Sequence, residues 1–246
     1  MDRMLYIAMT GAREAAHSQE VNSHNLANAS TTGFKKNLEA FINHPMHGPV
    51  YDSRDYVQLE SMRADFAHGP QISTGRDLDV AVQGDGWIAV QGADGNEAFT
   101  RAGNLQVDAL GLLTTVDGRP VLGDDGPIAI PPSETLLIGG DGTISVRPLG
   151  QQPNVLAEVG RVKLVNPNLQ DLERGEDGLF RRADGGVEPA DAQVRLQSGM
   201  LEGSNVNTVE AMVNMIELSR NFETQVKLMK TSEELDRSSS QLLRIS

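Results

Sequence analysis

Small and apolar residues recur at helical spacing at both ends of the chain. Leu5, Ala8, Ala12 and Ala15 follow one another in steps of three and four, and the stripe resumes at Leu26 beyond the polar Gln19 and Asn22. Its alanines predict a face that a second helix can approach closely. At the other end Val209, Met212, Ile216, Ser219, Phe222, Val226 and Met229 keep the same rhythm. Asn207 and Glu210 have the spacing of a helix-capping box, and Glu223 with Lys227 and Glu233 with Arg237 are oriented to pair one turn apart. Neither Gly nor Pro interrupts residues 204–246, so a helix of about 40 residues, about 60 Å long, is expected there.

The pattern changes in the middle. Leu78 to Val82 alternates with period two, and Trp87 to Val90 is a short apolar run between glycine-rich breaks. Leu112 to Val121, Ile128 to Ile130, Leu136 to Ile138, Thr143 to Val146 and Val159 to Val165 continue it, which predicts an antiparallel β body. Residues 37–75 hold Pro45, Pro49 and Pro70, show no period and read as an extended connector. The expected fold class is α+β. Residues 1–36 and 204–246 are long terminal helices pairing as a coiled-coil base, 37–75 link them to the body, and 76–203 are the β-rich domain.

Length turns this pattern into a constraint. A body of that size has a diameter of about 36 Å, so the C-terminal helix overhangs it. Its stripe needs partners, either the N-terminal helix of the same chain in a helical hairpin or helices of other chains. The charge agrees with crowded ends. Residues 1–36 carry four basic and three acidic groups and residues 204–246 five and six, so the whole formal charge of −13 falls on residues 37–203. Near-neutral ends can lie beside copies of themselves without accumulating repulsion. The acidic middle repels nucleic acid and anionic lipid, so neither is expected as a partner. No stretch reaches the roughly 20 apolar residues that cross a bilayer, so no membrane insertion is expected. The first residues lack the apolar run of a secretory signal, so leaving the cytoplasm would require a dedicated export machine.

Candidate chemistry weakens on inspection. His44 and His47 flank Pro45-Met46, which cannot present both rings on one helical face. Gly84-Asp85-Gly86 and Gly139-Gly140-Asp141-Gly142 lack the Lys-Ser/Thr ending of a phosphate loop and read as hairpin turns, as does Asp124-Asp125-Gly126. Asp77 and Asp79 would share one face of a strand and could form an acid/base pair, and Trp87 could be a sugar platform. An exposed strand edge and a core residue are the simpler readings. No candidate outweighs its simpler reading, so the chain is expected to be no enzyme and to hold no catalytic residue, cofactor or metal; with 4% aromatic residues it is short of pocket anchors, and with no cysteine it has neither disulfides nor thiolate metal sites.

The segment from Val21 through Asn22, Asn25, Leu26, Asn28, Gly33 and Phe34 to Lys35-Lys36 resembles the N-terminal signature of flagellar basal-body rod and hook proteins. Gly199 to Asn207, followed by Glu210, Met212, Val213, Ile216, Arg220 and Phe222, is similar to the C-terminal hallmark of that family. Leu78 to Val82, Gly86-Trp87 and Phe99 to Gly103 are similar to its β domain, with Trp87-Ile88 where relatives often carry paired Phe. Met1-Asp2-Arg3, Tyr6 and Ala8 to Ala12, with the chain length, resemble the proximal-rod branch more than the slightly longer distal-rod one. A distal rod or hook-type subunit is the alternative, and a secreted carbohydrate-binding or hydrolase module is the alternative from another class.

The resemblance implies a structural subunit of the proximal rod, in the flagellar basal body where the rod crosses the periplasm. It implies partners among proximal and distal rod subunits and copies of itself, and export by the flagellar type III apparatus. The assembly interface is expected on Leu5, Ala8, Ala12, Ala15, Asn22, Asn25, Leu26, Asn28, Gly33 and Phe34, and on Val209, Met212, Ile216, Phe222, Val226 and Met229. The three asparagines should bond backbone groups freed at the end of the first helix, with Gly33 as a left-handed cap and Phe34 as an anchor. In the free subunit these stripes lack neighbours, so both ends are expected to be unfolded before assembly. Amide hydrogen exchange checks this: fast exchange across residues 209–229 is expected, and strong protection there would contradict it.

Overall fold

The computed structural model describes residues 2–46, 54–148 and 156–245. The two terminal helices are α1, Asp2–Ala27, and α2, Thr208–Ile245. Asn207 caps α2: its Oδ1 accepts from the backbone N–H groups of Val209 at 3.1 Å and Glu210 at 3.3 Å, satisfying donors that the first turn cannot. Of the two expected pairs on α2, Glu233 and Arg237 meet at 2.6 Å.

The chain forms two compact units. The first comprises residues 1–29, 36–65 and 206–246. Besides the helices it contains a hairpin of β1, Asn37–Met46, and β2, Arg54–Ala64, paired antiparallel from Asn37 opposite Ala64 to Met46 opposite Arg54. Residues 37–46 and 54–64 are therefore paired strands and not an unpaired connector. A bulge between Ala40 and Phe41 shifts the register, which breaks the alternation by which a strand is recognised.

The second unit comprises residues 30–35 and 66–205 and is built from antiparallel strands. It begins with β3, Gln71–Ser73, β4, Val80–Gln83, β5, Trp87–Gln91, and β6, Glu97–Thr100. The largest sheet has five strands in the order Leu164–Val165, β5, β6, Phe180–Arg182, Leu172–Arg174. A second, of three, runs Ser133–Ile138, Thr143–Pro148, Ala157–Arg161. The architecture is α+β, with helices from the two ends and an antiparallel β-rich middle.

The core of this unit is aliphatic. Val80, Val82, Ile88, Val90, Leu105, Leu113, Val121 and Ile144 are buried in one cluster, each contributing roughly 1.5–3 kcal/mol by leaving water. Trp87 lies inside as well, 4.8 Å from the Phe180 ring and 5.8 Å from Phe66, so it offers no face to a sugar. One of the three expected hairpin turns differs from expectation. Gly139 to Gly142 and Asp124 to Gly126 do close hairpins. Gly84-Asp85-Gly86 does not: β4 pairs with Arg195–Ser198 while β5 pairs with β6, so this bend carries the chain from one sheet to another. Leu112 to Val121 is also interrupted, because Leu113–Thr115 is followed by a turn before Val121 returns beside Val90. Replacing Ile88, fully buried among these strands, by Ala is expected to cost the second unit about 2–5 kcal/mol, measured by chemical denaturation.

Candidate assembly interface

Within the first unit α1 and α2 run antiparallel. Asn22 Nδ2 donates to the Ala211 carbonyl at 2.7 Å, and eleven residues back the Gln225 side chain lies against Gly11. Ala8, Ala12 and Ala15 are buried, as the stripe on α1 requires, while Leu5 at its start stays exposed. On α2 the buried Ala211 and Ser232, the half-buried Leu218, and Gln225 fall at intervals of seven residues. This inward line is not the one the sequence pattern picked out. Val209, Met212 and Ile216 are 70%, 54% and 55% exposed, Val213 beside them 50%, and Phe222 39%; Val226 and Met229 are half-buried. The line holds long side chains as well as small ones, and Gln225 lies against Gly11, where α1 carries no side chain.

The asparagine motif does more than cap. Asn28 behaves as expected, its Nδ2 donating to the His24 carbonyl at 2.9 Å. Asn25 instead grips the first residue of β1: its Nδ2 donates to the Asn37 carbonyl at 2.9 Å and its Oδ1 accepts from the Asn37 N–H at 2.8 Å. A buried amide thereby imitates one rung of a β ladder and ties hairpin to helix. Asn22, as above, joins α1 to α2, and Leu26 is half-buried. The first unit is thus pinned by side chains to which the sequence reading assigned local roles.

In the second unit, the end of this motif meets the C-terminal hallmark. Gly33, with φ of 69°, donates its N–H to the Glu202 carbonyl at 2.8 Å. A Cβ there would lie 2.3 Å from Ala102 N, so both conformation and space demand glycine. Gly33 lies six residues beyond Ala27 and makes a turn, not the expected helix cap. Lys35 is 1% exposed; its Nζ donates to Glu202 Oε1 at 2.7 Å and to the Ala67 carbonyl at 2.8 Å. Arg101, 3% exposed, donates Nη1 to Glu202 Oε2 at 2.9 Å and Nη2 to the Gly84 carbonyl at 2.8 Å, and its guanidinium lies 5.4 Å from the Trp87 ring. Gly69 N–H adds a third bond to Glu202 at 3.1 Å.

Burial would raise the Glu202 carboxyl, but the Lys35 hydrogen bond, the charges of Arg101 and Lys35 and the Gly69 amide together hold it below its ordinary value. Burial also lowers Arg101, and lowers Arg174 to about 10. Arg174 stacks 4.8 Å from both Phe34 and Phe180 and donates to the Lys35 carbonyl at 2.6 Å, which makes half-buried Phe34 the anchor expected of it.

Comparison with known proteins covers the same elements. Residues 5–35 match the flagella basal body rod protein family, residues 81–146 the flagellar hook protein FlgE/F/G D1 domain, and residues 197–242 the flagellar basal body rod FlgEFG protein C-terminal region. The chain is 44% identical over 252 residues to the flagellar basal-body rod protein FlgF of Salmonella typhimurium, covering 100% of both chains. It is 32% identical over 250 residues to FlgF of Caulobacter vibrioides, covering 99% of this chain and 98% of that one. To the rod protein FlgG of Bacillus subtilis it is 31% identical over 258 residues, covering 96% and 97%.

The chain belongs to the flagellar basal-body rod protein family. As a FlgF-like rod protein it is a structural subunit located in the rod of the flagellar basal body. The two terminal matches hold both helices and both partners of the Lys35–Glu202 pair, so the regions that define the family meet physically.

The set-aside chemistry has structural explanations. Asp77 lies in a turn and Asp79 begins the next pairing, so they do not share a strand face; Asp79 is held by Arg76 at 2.7 Å. His44 sits in β1, and His47 lies outside the described residues. Among the described residues no three His, Cys, Asp or Glu side chains group as metal ligands. Lys35, Arg101 and Glu202 each lie inside a family signature, and their opposite charges were the available sequence signal of the cluster. Glu202→Gln leaves two buried cations short of their counterion and is expected to cost about 3–5 kcal/mol in denaturation of the full chain. Because the native carboxyl is depressed, the Glu202 contribution is complete above its ordinary value of 4.5 and is lost as pH falls from there through the lower native value. The stability loss of wild type over that window should shrink in the variant.

Proposed function

We propose that this chain is a proximal-rod subunit that polymerises through its two terminal helices and catalyses nothing. The observation that carries this reading is the outward band on α2. Val209, Met212, Val213 and Ile216 lie next to one another on the helix surface and are half or more exposed, although α2 already has α1 along its other side. A helix with an apolar line left over after pairing within its own chain needs a neighbour from another chain. The line at seven-residue intervals that faces α1 supports the coiled-coil reading of the pair. On this reading the helices of residues 1–36 and 204–246 form the polymerising core, the paired strands 37–46 and 54–64 belong to the same unit, and 76–203 form the β domain. The partners are copies of itself and other rod subunits, proximal and distal, and the flagellar type III apparatus exports it.

The proximal position is supported by 44% identity to FlgF of Salmonella typhimurium over the whole of both chains. Packed α-helices resist bending and twisting, which suits a shaft that transmits torque. Val209→Asp combined with Ile216→Asp should leave the far-ultraviolet circular dichroism of the purified chain unchanged while abolishing motility in a strain lacking its own copy. Rods assembled at normal yield from that variant would overturn the proposal.

A further inference from the structure

An aspartate followed by glycine invites a reaction within the chain, because glycine places no side chain between its own amide and the preceding carboxyl group. The sequence holds seven such pairs. Six of them are guarded by the fold. In five the glycine N–H donates to the carbonyl three residues back: Gly95 to Gly92 at 3.0 Å, Gly118 to Thr115 at 2.9 Å, Gly142 to Gly139 at 3.0 Å, Gly178 to Gly175 at 3.0 Å and Gly185 to Arg182 at 3.0 Å. In the sixth, Gly126 is paired with Gly123 across a β ladder. Three of the carboxylates are tethered as well, Asp141 accepting from Thr143, Asp177 from Arg181 and Asp184 from Arg182. An amide held in this way reacts only when its hydrogen bond opens.

Asp85-Gly86 is the exception. The Gly86 N–H meets no acceptor among the described residues, although Gly86 is buried. Orphan donors of that kind are rare in folded chains. The Asp85 side chain is 81% exposed and faces only the His68 imidazole, at 3.4 Å on the open surface. Gly84 precedes it, with empty space where a Cβ would stand, so the bend from β4 to β5 leaves the carboxyl free to turn onto the next amide.

We propose that Asp85 is a site of isoaspartate formation. The Gly86 nitrogen bonds to Asp85 Cγ, and the carboxyl hydroxyl leaves with the amide proton as water, closing a succinimide ring. Water then opens the ring at either carbonyl. Opening at the α-carbonyl routes the backbone through the side-chain carbon, and the mass returns to its starting value without any oxidant or cofactor. One extra methylene thereby enters the chain between Gln83, the last residue of β4, and Trp87, the first of β5. There is little room for it. A Cβ on Gly86 would already meet Val194 at 2.6 Å, and the Gly84 carbonyl holds Arg101 at 2.8 Å. The bend takes up the added length by loosening those contacts, so the subunit ages at the edge of the Glu202 cluster.

The purified full-length chain, kept warm at neutral pH, digested and mapped by mass spectrometry with electron-transfer fragmentation, tests this. Isoaspartate at position 85 should exceed that at every other Asp-Gly pair at least about fivefold, and in denaturant, where no amide is held, the excess should fall below about twofold. Asp85→Ser should remove the signal at this position and leave the other six unchanged. An even distribution in the folded chain, or another pair reacting first, would overturn the proposal. So would an excess at position 85 that persists in denaturant, since its cause would then be local sequence and not the unguarded amide.

Discussion

Glu202 sits where a carboxylate is hardest to keep charged, and the second unit depends on the way it is kept so. Its two oxygens are divided between Lys35 and Arg101, at 2.7 and 2.9 Å, with all three side chains out of water. The residues come from positions 35, 101 and 202, so one ionic cluster fixes where the chain enters the β unit, where it folds across it and where it leaves. An apolar replacement could fill the same volume. It would lack the directional demand of the ionic pairs, in which Lys35 and Arg101 each meet a different oxygen of Glu202.

Around that cluster the backbone is drawn as tight as it can be. Gly33 approaches the Arg101-Ala102 peptide too closely for a Cβ, and Gly103 sits in the same relation to the Val80 carbonyl. The glycines let the segments meet, and the charges hold them there. Arg174 extends the cluster outward by stacking between Phe34 and Phe180. The first unit solves a similar problem with neutral amides: Asn25 completes one rung against Asn37, and Asn22 crosses to the second helix.

For a rod subunit this division of labour is physically sensible. Side-chain amides and small residues build the helical unit, so it pairs closely along one side while its larger apolar groups remain available on the other. A monomer with every stripe satisfied would have no reason to polymerise. The concentration of net negative charge on residues 37–203 leaves the terminal segments able to crowd together.

Much of this was legible in the linear pattern. Steps of three and four marked both helices, Asn207 marked the start of α2, and period-two runs with Asp-Gly breaks marked the β body, because each of these signals is local. The pairing of residues 37–46 with 54–64 was not legible, since a bulge and Pro45 hide the alternation of a strand. Nor was the inward face of α2. Sequence shows that an apolar stripe exists, but which side turns toward α1 depends on the alanines of another helix some two hundred residues away. The sequence by itself determined the two helices, the β-rich middle, the family and the near-neutral ends. Only the tertiary structure decided that Lys35, Arg101 and Glu202 share one buried site and that Val209, Met212 and Ile216 face out. Those facts follow from distances between remote segments, which no local pattern encodes.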